Sequence, residues 1–329
     1  MRQQRLFSTL RALQSHDNPL GLPRSGTPPS FPRRRGLPEK RKIRDVNKVI
    51  AVSSAKGGVG KSTIAVNLAL AFARRGIRTG ILDTDIFGPS IPTLLNLSGE
   101  PRLDDKNCLV PLTNYGLKSM SMGYLLPPPP SSTTESDPSG YQPMDTTPIS
   151  WRGLMVTKAM HQLLHSVSWG PLDVLIMDFP PGTGDVQLTI GQEIVVDGSV
   201  IVSTPQDIAL RDAVRGYGMF QRMNIPVLGM VRNMAFFACP HCGKQTKIFS
   251  RGEHSHHDHD HETDRGVIAE CKRLGIDFLG DIPLDAKVCE DADRGVPTMV
   301  AEESDERSAR RNAFLGIAEK VAHKVGLPW

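Results

Sequence analysis

The strongest constraint on this chain is one loop, Ser54-Ala55-Lys56-Gly57-Gly58-Val59-Gly60-Lys61-Ser62-Thr63. An apolar, β-branched run from Val49 to Ser53 leads into it, and Ile64 to Ala73, of helical composition, leads out. Strand, glycine loop and helix in that order are the context of a phosphate-binding loop. Gly57, Gly58 and Gly60 permit backbone angles and a close approach that a Cβ forbids, so successive N–H groups can turn onto phosphate oxygens at a helix N-terminus. Lys61 then reaches the β- and γ-phosphates and the Ser62 hydroxyl ligates Mg²⁺, with Val59 and Thr63 completing the cradle. A plain glycine turn before a helix requires neither Lys61 nor Ser62 at those offsets.

Acidic groups follow at the ends of apolar runs. Thr79 to Asp83 reads as a short buried strand that delivers Asp83 and Asp85 to the crevice where ligands bind in doubly wound sheets. An Asp-x-Asp is also ordinary turn chemistry, and the residues alone leave both readings open. Asp173 to Asp178 is the clearest buried strand, and Asp178 opens Asp178-Phe179-Pro180-Pro181-Gly182-Thr183-Gly184-Asp185. That is a Walker B arrangement, a carboxylate for Mg²⁺ followed by a glycine-bearing loop that responds to the γ-phosphate. Further strands are expected at Ser199–Ser203, Pro226–Val231 and, in a β-rich stretch over 101–125, at Leu109-Val110 and Leu117–Met122. Asp207 is placed to N-cap a helix from Ile208 to about Met223, and a last helix over about Asp305 to Val325 turns Phe314, Ile317, Ala318, Val321, Ala322 and Val325 toward the sheet. No N-K-x-D guanine-reading sequence occurs, which favours ATP over GTP.

Cys239-Pro240-His241-Cys242 is the only C-x-x-C among five cysteines. Alone it is half a zinc site, a redox pair or two incidental thiols. Two ligands do not close a four-thiolate shell, so a second chain, or Cys271 and Cys289, would supply the others; Cys271 on a probable helix and Cys289 before an acidic turn read as ordinary small side chains. His254 to His261 reads as a solvated loop insertion, with loose metal binding the sharper alternative.

The net charge of +4 is concentrated in front, where basic residues from Arg2 to Arg44 face only Asp17 and Glu39; the remainder is slightly acidic and offers no nucleic-acid footprint. Leu6, Leu10 and Leu13 at helical spacing among arginines have the composition of a mitochondrial transit peptide, followed by a Pro/Gly/Ser linker. No window is long and apolar enough to span a membrane. An odd, scattered cysteine set fits a reducing compartment. The expected organisation is a transit segment and linker over 1–45 and one P-loop ATPase domain over 46–329, with flexible insertions at 126–149 and 251–263.

Lys56, a second lysine ahead of Gly57-Gly58, gives the loop the form K-G-G-x-G-K-[ST], and in this the chain resembles the deviant Walker A branch of P-loop ATPases that holds MinD, ParA, the nitrogenase iron protein and Mrp. Asp83 to Pro92, D-x-D-x-x-G-P-S-x-P, resembles the switch I pattern of the Mrp family, and the likeness runs on through Cys239-x-x-Cys242 to the last helix. Arg35–Pro38, Trp151–Met155 and Ser203–Leu210 narrow it to a mitochondrial branch that serves respiratory complex I assembly. The resemblance implies an α/β, doubly wound, mostly parallel sheet, and a slow switch ATPase with Lys56, Lys61, Asp85 and Asp178 as its catalytic set. It implies Asn233 beside the adenine of ATP, although Arg232 stands where the family pattern has glutamine. It further implies a homodimer in which Lys56 crosses to the partner's nucleotide and in which Cys239 and Cys242 of each chain share a bridging [4Fe–4S] cluster, bound for apo iron–sulfur proteins, complex I subunits among them, in the mitochondrial matrix. The rivals are a MinD/ParA-like positioning ATPase without a cluster and a zinc-stabilised ATPase dimer.

Overall fold

The computed structural model of the chain describes residues 40–125, 153–239, 242, 244–249 and 266–329. The transit-like segment before residue 40, the insertion at 126–149 and the histidine tract lie outside the described residues. In chain order the elements are β1 Val46–Ser53, α1 Lys61–Arg74, β2 Thr79–Asp83, α2 Ile91–Leu94, β3 Leu112–Asn114, β4 Leu117–Ser121 and α3 Gly153–His165. There follow β5 Leu172–Asp178, α4 Asp185–Glu193, β6 Gly198–Ser203, α5 Asp207–Arg222, β7 Val227–Arg232, β8 Phe237–Ala238 and β9 Gln245–Thr246. The chain then forms α6 Val267–Leu274, β10 Phe278–Asp281, α7 Ala286–Asp293, α8 Thr298–Ala301 and α9 Ala309–Val325.

Eight strands form one sheet in the order β10-β7-β6-β1-β5-β2-β4-β3, parallel throughout except for the β3–β4 edge hairpin. Parallel strands buried on both faces read as continuous apolar runs, which is why β1 and β5 stand out in the sequence. Alternate residues serve opposite layers: Ile50, Val52 and Ile176 pack under α1 and α9 with Phe72, Phe314 and Val321, whereas Val49, Ala51 and Met177 pack with Trp169, Phe220 and Cys271. Strand β1 lies between β5 and β6, so the loop after it opens at the carboxyl edge, where the strand order reverses and a ligand crevice forms.

Several boundaries differ from expectation for local reasons. The body begins before residue 46: Ile43 is buried, and Arg41 exchanges backbone hydrogen bonds with Glu193 and Val195. Leu109 forms only isolated bridges, to Leu103 and Val167, while the edge strand lies at Leu112–Asn114. That edge turns through Tyr115 (φ 51°) and Gly116 (φ 76°), the paired left-handed residues of a tight hairpin. Asp207 is the first residue of α5 and the N-cap falls to Gln206, so the carboxylate meets the helix dipole as a first-turn charge. Helix α9 begins at Ala309 because the Ser308 side chain caps it, accepting from the Arg311 N–H. Its apolar face packs on the sheet layer as expected.

Candidate functional site

Helix α1 starts without a side-chain cap. Its N-cap is Gly60, left-handed at φ 81°, and its first turn holds no acidic residue. The first N–H groups of a helix have no intrahelical acceptor, so this N-terminus is left electropositive and open to an anion. Gly60 is required twice over, since a Cβ there would also stand 2.3 Å from Asn233 Nδ2. A cleft of about 600 Å³ opens over this end, walled by Gly57, Gly58, Gly60, Lys61, Ser62 and Thr63 together with Asp85 and Asn233. Val59, Asp178 and Lys56, also predicted for this site, are not on its wall. Val59 is buried behind it, Asp178 is fully buried beneath it, and half-buried Lys56 is at the loop's shoulder, where its carbonyl accepts from Ser54 Oγ at 2.9 Å.

Beneath the loop, Lys61 Nζ donates to Asp178 Oδ1 and, at 3.2 Å, to Ser62 Oγ. The other carboxylate oxygen, Asp178 Oδ2, is buried with no hydrogen-bond partner among the described residues. Burial pushes the Asp178 carboxyl up, with Lys61 and Ser62 opposing. A buried orphan carboxylate oxygen beside a hydroxyl is a hard-oxygen donor set, and it fits Mg²⁺ carried by a nucleotide.

The two carboxylates of Asp83-x-Asp85 are divided between the two readings. The Asp83 carboxylate is fully buried and turned to the loop that follows, accepting from Asp85 N at 3.0 Å, Ile91 N at 3.3 Å and Ser121 Oγ at 3.0 Å. Burial, then the Asp178 charge, pushes it up to about 7. Only Asp85, half-buried, reaches the cleft wall, and burial raises its carboxyl while Lys61 opposes. Asp83 therefore fixes the loop that follows it, and Asp85 lies on the cleft wall. The loop after Asp178 is fastened by a residue the sequence did not single out: Gln187 Nε2 donates to the Pro180 carbonyl at 3.1 Å and the Pro181 carbonyl at 2.8 Å, while Gly182 N reaches Ser54 O at 3.1 Å.

Asn233 links this cleft to the cysteines. Its Nδ2 donates to the Val59 carbonyl at 2.8 Å, so its amide braces the phosphate loop. Met234 then turns left-handed at φ 56°, and the chain leaves β7 for the antiparallel β8–β9 hairpin. Cys239 sits half-buried at the end of β8, its N–H on the Lys244 carbonyl at 3.0 Å, and Cys242 is exposed at the tip. Among the described residues no third histidine, cysteine or carboxylate completes a shell with this pair. Cys271 is buried in a core layer, its thiol pushed up to about 11 by burial and then by Asp277 and Glu270, and Cys289 lies on α7 against the nucleotide cleft. Arg232 makes a forked pair with Asp281 at 2.5 and 2.8 Å over the Phe278 ring, so the departure from glutamine is absorbed by β10.

A family model described as a ParA-type, NUBPL iron-transfer P-loop NTPase matches residues 45–322. The chain is 44% identical to the iron-sulfur cluster transfer protein NUBPL of Mus musculus over 293 residues, 88% of this chain and 82% of that protein. It is 40% identical, over 85% of this chain and 79% of the other, to an Arabidopsis thaliana protein named as an iron-sulfur protein required for NADH dehydrogenase, mitochondrial. An Archaeoglobus fulgidus nucleotide-binding protein solved with ADP superposes with a TM-score of 0.63 at 32% identity, covering 83% of this chain and 94% of that one. Pyrococcus furiosus MinD, at 17% identity and a TM-score of 0.53 over 84% and 99%, shares the fold. With a family model matched over residues 45–322 and a relative 44% identical over 88% of its length, the chain belongs to the NUBPL iron-transfer P-loop NTPase family.

Proposed function

We propose that the chain is an ATP-switched carrier that holds a [4Fe–4S] cluster between two copies of itself and passes it to apo iron–sulfur proteins of the mitochondrial matrix, subunits of respiratory complex I among them. One observation carries the reading. Asn233 bonds the phosphate loop at Val59 and stands six residues before Cys239 on the same exit from β7, so whatever moves the loop on nucleotide binding pulls on the root of the cysteine hairpin. Asp178 and Ser62 would hold Mg²⁺, Lys61 the β- and γ-phosphates, and Lys56 the nucleotide of the second copy. Hydrolysis is slow and serves as the switch. Two thiolates per chain supply half of a cluster's four ligands, which supports the shared site. The arginine-rich front supports mitochondrial import followed by its removal.

The test is transfer from the loaded protein to an apo [4Fe–4S] acceptor, followed by recovery of acceptor activity with and without ATP. Wild type should transfer with a nucleotide-dependent rate; Lys61→Ala should load but lose that dependence; Cys242→Ser should neither load nor transfer. Nucleotide-independent transfer by wild type would refute the switch.

A further inference from the structure

The helices α3 and α4 run back against the strands they connect, so their C-terminal ends meet at the amino edge of the sheet, away from the nucleotide cleft and the cysteine hairpin. There His161 and His165, one turn apart on α3, stack with ring centroids 4.6 Å apart at 55°. Glu193, the last residue of α4, faces them, and one ligand atom from each of the three lies within 4.8 Å of the others. His165 Nε2 and Glu193 Oε2 are 3.6 Å apart. That is too long for a hydrogen bond, but close to the separation of about 3.3 Å between two ligands of a tetrahedral ion with bonds of about 2.0–2.1 Å. Glu193 Oε2 is shielded from solvent and makes no full hydrogen bond among the described residues, its nearest partner being the His165 imidazole, a loose contact that a shared cation would tighten. The backbone beneath is already fixed, since Arg41 N donates to Glu193 O at 2.9 Å and Val195 N to Arg41 O at 3.0 Å.

We propose that His161, His165 and Glu193 form a divalent-cation site that clasps the C-terminal ends of α3 and α4. Two imidazoles and one carboxylate make a borderline nitrogen and oxygen set, suited to Zn²⁺ and its Co²⁺ surrogate rather than to Mg²⁺, with a fourth position left for water. The Arg41 charge, felt at His165, opposes the ion and limits affinity. The clasp matters for the switch because α4 opens at Asp185, directly after the Asp178–Gly184 loop, so fixing its far end restrains the element that carries that loop.

The test uses the full chain with Cys239→Ser and Cys242→Ser and with the five histidines at 254, 256, 257, 259 and 261 changed to serine, which removes the C-x-x-C thiols and the histidine tract as competing donors. In this parent, Co²⁺ titration should give visible d–d absorption saturating at one ion per chain, and Zn²⁺ should displace it. The zinc X-ray absorption edge should report nitrogen and oxygen neighbours without sulfur. His161→Ala, at an exposed position, and Glu193→Gln should each weaken Co²⁺ binding by more than about tenfold while ATP affinity, the check on folding, stays within about twofold. A parent that binds no ion, or that binds Co²⁺ as tightly in His161→Ala and Glu193→Gln as without them, overturns the site.

Discussion

The phosphate loop and the cysteine hairpin leave the same edge of the sheet and are held in opposite ways. The loop is braced from every side: Asn233 on Val59, Gly182 on Ser54, and Lys61 on a buried carboxylate. The hairpin is two strands of two residues, one cysteine half-buried and the other exposed, and it offers two thiols. A site assembled within one chain can be rigid before its ligand arrives. One that waits for a second chain has to stay accessible, and its order comes with the ligand. Variants on the loop should therefore change stability and nucleotide affinity together, whereas variants on the hairpin should change only metal and assembly.

Lys61→Ala should have the largest effect. It leaves Asp178 buried without its cation, a loss of about 3–5 kcal/mol for a buried pair, and it removes the charge from the β/γ-phosphate position, for a drop in ATP affinity of roughly a hundredfold. Denaturant melts and calorimetry measure the two, and an unchanged ATP affinity would remove the loop from the account. Gly60→Ala comes next: it meets Asn233 Nδ2 and forces a side chain into φ 81°, a strain of about 1–3 kcal/mol. Joining it with Asn233→Ala should recover part of that loss, because only the clash is relieved and the backbone strain stays.

Cys239→Ser or Cys242→Ser sharpens the contrast from the other side. Each should abolish iron loading and the cluster-dependent dimer, yet leave ATP affinity within about twofold and apo stability within about 0.5 kcal/mol. A hairpin variant that lowered ATP affinity as far as Gly60→Ala does would mean the two sites are one unit. Cys271→Ser and Cys289→Ser should keep the cluster. Native alkylation near pH 8 should mark Cys242 early and Cys271 only on unfolding, because a thiol pushed up to about 11 carries about one part in a thousand thiolate there and is buried besides.

The smallest effect is a pH slope. Asp83 is raised in the folded chain to about 7, above its unfolded value near 3.8. The folded state then binds the proton more tightly. Its contribution to stability is full below about pH 4 and is lost as pH rises through about 7. In Mg²⁺-free buffer Asp83→Asn should flatten the stability profile across that window, and a profile unchanged by the substitution would contradict the buried-carboxylate reading.

What the sequence made legible was what a local run encodes. Continuous apolar strands ending in Asp83 and Asp178, and glycines spaced for a phosphate cradle, place the nucleotide site without any tertiary knowledge. Periodicity could not say which carboxylate of Asp83-x-Asp85 turns inward, since that depends on Ser121 and Ile91 arriving from other elements. Nor could it find Gln187, whose side chain returns to the Pro180-Pro181 carbonyls, or the meeting of His161, His165 and Glu193 across two helices. Arg232 looked like a disturbed base contact, and its explanation, Asp281, lies on a neighbouring strand.

The central claim is that the cysteine site is completed by a second copy of the chain. Anaerobic reconstitution with iron and sulfide, followed by native mass spectrometry of the intact assembly, tests it directly. The account predicts a dimer carrying four irons and four sulfides per two chains, reduced to iron-free protein by Cys239→Ser. A monomer carrying a complete cluster, or a dimer carrying zinc at Cys239 and Cys242, would contradict it.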